Sequence, residues 1–141
     1  MRTKIAIDWT DNMSFKSEVN GHEIIIDADE KVGGKNKGPR PKPLMLLALA
    51  GCTGMDVISI LKKMRVELDD FRVSVDANNT EEHPKHYNDI KVIYEFWGKD
   101  LEKSRDKIEK AVNLSEERYC GVSHIYKQAV ELTNEITIHE S

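Results

Sequence analysis

Two cysteines in 141 residues are too few for a disulfide framework. They leave three roles open, namely small buried hydrophobe, metal ligand or reactive thiol. The basic excess wanted by a general nucleic-acid binder is also missing, since the net charge is -4. Long apolar runs are scarce too. The longest, Leu44 to Met55, is interrupted by Gly51, Thr53 and Gly54 and stops at Asp56, short of the roughly 18 residues that a membrane span needs. The opening Met-Arg-Thr-Lys-Ile-Ala-Ile-Asp lacks the apolar stretch and small-residue cleavage site of a signal peptide. No repeat, domain linker or low-complexity segment breaks the chain. These absences predict a single domain over residues 1–141, cytoplasmic, bound to neither nucleic acid nor membrane, with its thiols kept reduced.

What is present is an ordinary globular balance of 39% apolar and 33% charged residues. Lys4 to Trp9 alternates as a strand does, Met13 to Val19 is a weaker run, and residues 23–27 follow Asn20-Gly21, a strong hairpin signal. Residues 31–43 are punctuated throughout by Gly and Pro and predict a structureless loop. That loop carries Lys31, Lys35, Lys37, Arg40 and Lys42 and no acid. Most of its lysines read as solvated. Arg40, nearest the apolar segment that follows, reads equally as a solvated residue or a functional cation.

Leu44 to Met64 predicts the central helix, apolar on every side in its first half and so expected to be surrounded by protein. Two strands follow, at Phe71 to Asp76 and Ile90 to Trp97, joined by the polar stretch 78–88. Leu101, Ile108, Ala111 and Val112 fall at helical spacing, and Ser115-Glu116-Glu117 reads as the cap and acidic first turn of a further short helix. Residues 131–139 predict a last strand. The order β-β-β-α-β-β-α-α-β is that of an α+β fold.

Cys52 lies inside the apolar helix between Gly51 and Gly54, each costing about 1 kcal/mol relative to Ala. Glycine there implies that another helix or a substrate approaches the backbone beside the thiol. On position alone Cys52 reads as a buried hydrophobe. Asp56 lies one turn on, on the same face. A bare carboxylate would make the thiol less reactive, so reactivity requires a cation, with Arg40 the best placed in sequence. Cys120, between an acidic turn and Gly121, is expected to be partly exposed. A second thiol near the first would trap a sulfenic acid as a disulfide. His22, His83, His86 and His139 read as solvated, and Trp9, Trp97, Tyr94 and Phe96 as sheet packing.

The stretch Gly38-Pro-Arg-Pro-Lys-Pro-Leu-Met-Leu-Leu-Ala-Leu-Ala-Gly-Cys-Thr-Gly-Met-Asp-Val57 resembles the signature of the OsmC/Ohr superfamily, and Arg118 to Ser123 resembles the region of its second cysteine. The resemblance runs along nearly the whole chain and is closer to the general OsmC-like branch. It implies an intertwined homodimer, with antiparallel strands around a central buried helix and each active site at the subunit interface. It implies a thiol peroxidase for organic hydroperoxides, with hydrogen peroxide as a further substrate, that needs no metal, flavin or haem. In that scheme Cys52 is the attacking thiolate, Cys120 the resolving thiol, Arg40 the thiolate's partner, and an external dithiol the reductant. The family's glutamate just after the loop proline is replaced here by Lys42 and Pro43, and Glu117 or Asp56 is the candidate substitute. Two other readings stay open beside it. One is a metal module built on Cys120 and His124, completed by Cys52 or another histidine. The other is a non-enzymatic carrier of small apolar ligands with the cysteines as packing.

Overall fold

Asn20 and Gly21 both adopt positive φ, 51° and 82°, the left-handed pair that a two-residue hairpin turn requires. They join β2 (Ser14–Val19) to β3 (His22–Ile26), with Val19 opposite His22. β1 (Asp8–Asp11) adds to the other edge of β2, giving an antiparallel meander in the order β1-β2-β3. The alternation beginning at Lys4 starts the strand too early. Ile5 and Ile7 are exposed, and pairing to β2 begins only at Asp8 opposite Lys16.

The computed structural model describes all of residues 1–141, which form two compact units, Met1–Leu46 and Leu47–Ser141. In the first unit the Gly/Pro-rich loop is more ordered than its composition predicts. Asp29 caps a short 3₁₀ turn over Glu30–Val32, which ends at Gly33 in the left-handed region. Asp27 is buried, and its carboxylate accepts backbone N–H groups from Ala28 at 2.7 Å, Lys35 at 3.2 Å and Lys37 at 3.1 Å. The Lys37 N–H, chiefly, holds that carboxyl below its ordinary range, against the opposing effect of burial.

In the second unit β4 (Asp70–Asn79) pairs antiparallel with β5 (Tyr87–Gly98), and β6 (Glu131–Glu140) pairs with β5 in parallel. A parallel neighbour needs a long crossover, and residues 99–130 supply it with helices. Ile90, Val92, Tyr94 and Phe96 alternate along one face of β5 and are almost wholly buried, as are Ile108, Ala111 and Val112. Each large apolar side chain so buried contributes about 1.5–3 kcal/mol. His139, expected to be solvated, instead stacks on Trp97 at 4.6 Å with Nε2 3.2 Å from Glu95.

Helix α1 (Pro43–Lys63) buries Leu49, Thr53, Val57 and Leu61, a stripe at four-residue spacing. Its other apolar side chains are exposed in the single chain, Leu47 at 67% and Met55 at 76%, so the expectation of an enclosed helix is not met within one copy. Although its uninterrupted apolar run is short, the helix, 21 residues long with an 18-residue window of mean hydropathy 2.0, is long and apolar enough to cross a membrane by length and composition. At Gly54 an added Cβ would lie 3.3 Å from Val73 Cγ2, so this glycine lets α1 approach β4 closely, whereas nothing lies within 4 Å of one added at Gly51.

A 3₁₀ turn at Leu101–Ser104 leads into α2 (Arg105–Leu114). Here the expected second start at Ser115 is corrected. Ser115 keeps helical dihedrals at the end of α2, and the chain continues without a break into a π-helical turn, Ser115–Tyr119. A fresh start appears only at α3 (Gly121–Tyr126).

Candidate thiol site

Cys52 and Asp56 are four residues apart on α1, so they project from one face of it. The π-helical turn ends at Cys120, which leaves the helical region at φ -77°, ψ 102° and becomes the N-cap of α3. Its sulfur accepts the Ser123 N–H at 3.3 Å. This geometry brings the two sulfurs and an Asp56 carboxylate oxygen together, all within 4.8 Å of one another. Both cysteines are free thiols.

The two thiols sit in different surroundings. Cys52 is half-buried, whereas Cys120 is 2% exposed, contrary to the partial exposure expected from the adjacent glycine. The turn that ends on Cys120 directs its side chain inward. Burial, first, and a hydrogen bond to Cys52, second, push the Cys120 thiol above its ordinary value, while the Ser123 side chain and N–H act the other way.

Asp56 is held by a chain of buried hydroxyls. Ser115 Oγ donates to Asp56 Oδ2 at 3.0 Å, Thr53 Oγ1 lies 2.7 Å from Ser115 Oγ, and Tyr94 Oη lies 2.8 Å from Thr53 Oγ1. Either hydroxyl can donate in the Thr53–Ser115 and Thr53–Tyr94 pairs, and Tyr94 also hydrogen-bonds the Glu116 carboxylate. Burial pushes the Tyr94 hydroxyl far above its usual value, which keeps it a donor.

The remaining candidates fall elsewhere. Glu117 is exposed, with its carboxylate 3.6 Å from Lys127 Nζ, while its neighbour Glu116 is the acid that turns inward and accepts from Asn134 Nδ2. Burial raises the Glu116 carboxyl, and the Asn134 bond opposes that rise. His124 is exposed and outside the thiol cluster. Arg40 belongs to the N-terminal unit, where its guanidinium donates to Asn36 Oδ1 at 2.7 Å and the Gly38 carbonyl at 2.8 Å and lies 3.7 Å from Asp29. Sequence reasoning missed Ser115, Thr53 and Tyr94 as site residues. Thr53, a polar residue adjoining Cys52 in the apolar stretch that ends at Asp56, was the one available signal.

Comparison with known proteins follows the same lines. The family model described as OsmC-like protein matches residues 34–135. Protein YhfA of Escherichia coli (strain K12) is 32% identical over 129 residues, 91% of this chain and 92% of that protein. A crystal structure of a hypothetical protein from Aquifex aeolicus VF5 shares 32% identity with a TM-score of 0.81, covering 99% of this chain and 100% of that one. The organic hydroperoxide resistance protein OhrB of Bacillus subtilis has a TM-score of 0.67 at 18% identity, covering 97% and 98%, and shows likeness of fold.

Proposed function

The chain belongs to the OsmC-like family, and from that premise we propose that it is a thiol-dependent peroxidase reducing organic hydroperoxides. Cys52 is the attacking thiolate and Cys120 the resolving thiol. The observation that carries this reading is the approach of two free sulfurs to within 4.8 Å, one half-buried and one enclosed. The accessible sulfur suits attack on a substrate. The enclosed one, which burial keeps in the thiol form, suits a partner that reacts only with Cys52.

In the first step the Cys52 thiolate attacks the distal peroxide oxygen and the O–O bond breaks. Sulfur keeps the hydroxyl as a sulfenic acid, and the alkoxide takes a proton and leaves as alcohol. Cys120 then attacks Cys52, the S–O bond breaks, and the Cys120 proton leaves with the hydroxide as water. An external dithiol reduces the resulting disulfide by exchange. Asp56, adjacent to both sulfurs, takes the carboxylate role for which Glu117 was the other candidate. Arg40 remains the proposed cation for the thiolate, a role that requires it to share or exchange its contacts with Asn36 and Asp29. The working form is a cytoplasmic homodimer of one OsmC-like domain per chain. The exposed apolar Leu47, Met55 and Ile58 of α1 support association through that helix.

Turnover tests this reading. Purified protein with a dithiol reductant should consume an organic hydroperoxide catalytically, and Cys52→Ser should abolish consumption. Equal rates in the two proteins would overturn it and favour a carrier of apolar ligands.

A further inference from the structure

Cys52 Sγ, Cys120 Sγ and Asp56 are three donors of the type that zinc accepts, and they already converge. Tetrahedral zinc with Zn–S bonds of about 2.3 Å places two sulfurs about 3.8 Å apart. Donor atoms within 4.8 Å of one another need shift by only about 1 Å to meet that geometry. We propose that the reduced protein binds a thiophilic divalent cation of the zinc class through Cys52, Cys120 and Asp56, with the fourth position open. The proposal rests on the same thiols as the peroxidase reading but requires no peroxide chemistry.

The surroundings are those of a supported ligand set. Ser115 donates to Asp56 Oδ2, which fixes the carboxylate beside the two sulfurs. Ser115 is itself held by Thr53, and Thr53 by Tyr94. On the other side the Ser123 N–H holds the Cys120 sulfur. Cys120 is enclosed, while Cys52 and Asp56 are half-buried, so the cluster is not sealed from solvent. His124, the ligand that Cys-x-x-x-His spacing favours, is exposed and lies outside the cluster.

Metal and peroxide then compete for the same sulfurs. When a hydroperoxide oxidises the loaded site, the two thiolates become a disulfide and the O–O bond is reduced to alcohol and water. Two protons come from solvent, because metal-bound thiolates carry none. The cation departs, having lost two of its three protein ligands. The site would hold metal when reduced and release it when oxidised.

Equilibrium dialysis of the reduced, reductant-free protein against zinc tests the proposal. One zinc per chain is expected, none in the disulfide form, and affinity lowered by about tenfold or more in Asp56→Asn. Cobalt in place of zinc should give thiolate-to-metal charge-transfer absorption that Cys52→Ser alters. Substoichiometric zinc, binding that survives disulfide formation, or affinity unchanged in Asp56→Asn would overturn it. Peroxide oxidation of the metal-free thiols is measured separately. Zinc binding without disulfide formation would sink only the peroxidase reading, and disulfide formation without zinc binding only this one.

Discussion

Ser115 Oγ donates a 3.0 Å hydrogen bond to Asp56 Oδ2, linking the end of α2 to the helix that carries Cys52. Because Ser115 is fully buried, that bond is made in a region of low dielectric, and its loss leaves Asp56 without its neutral donor. Ser115→Ala should therefore cost about 1–3 kcal/mol in urea unfolding. It should also change the rate at which Cys52 reacts with hydroperoxide, because Asp56 is freed to rotate beside the sulfur. An unchanged unfolding midpoint would show that the hydroxyl chain carries no stability.

Glu116 gives a pH dependence of definite sign. Burial raises its folded carboxyl above the unfolded value. A raised folded pKa contributes stability that is full below the unfolded value of about 4.3 and is lost as pH rises through the folded one. Glu116→Gln keeps an acceptor for Asn134 and removes the buried charge. The variant should be more stable than the parent at neutral pH, with the difference shrinking on acidification. Thermal melts across that range check it.

Asp27 runs the other way. Its three backbone donors lower the folded carboxyl, so its contribution is present above the unfolded value of about 3.9 and lost as pH falls through the folded one. Asp27→Asn places an amide where the Lys35 and Lys37 N–H groups need an acceptor. The variant should be the less stable protein at neutral pH, and the gap should close in acid. Hydrogen exchange at the amides of residues 35 and 37 would localise the loss.

Removing the resolving thiol exposes the attacking one to over-oxidation. In Cys120→Ser, excess hydroperoxide should carry Cys52 past the sulfenic acid to the sulfinic acid, a gain of two oxygens by mass spectrometry. The parent should stop at the disulfide. A variant that resists over-oxidation as well as the parent does would remove Cys120 from the resolving role.

The hairpin at Asn20-Gly21, the central helix and the last strand were legible because local chemistry decides them. Asn and Gly accept positive φ, and apolar spacing sets helix or strand. The convergence of Cys52 with Asp56 was legible from four-residue spacing on one helix. Cys120 entered through the family resemblance alone, and its burial was not legible, because that depends on the π-helical turn, which hydrophobic periodicity does not reveal. The same turn sends Glu116 inward and leaves Glu117 in solvent, reversing the choice between adjacent acids. Ser115 carried the signature of an N-cap, and only tertiary packing made it a buried link to Asp56. Asp27 gave no local signal at all, since its donors arrive from residues 35 and 37 across the loop.

The most direct test of the central claim is the intact mass and thiol count of the reduced protein after one equivalent of an organic hydroperoxide. The account predicts rapid loss of two hydrogens, disappearance of both alkylatable thiols, a Cys52–Cys120 disulfide in the peptide map, and none of these in Cys52→Ser. Two thiols that persist in excess hydroperoxide and still alkylate would contradict it.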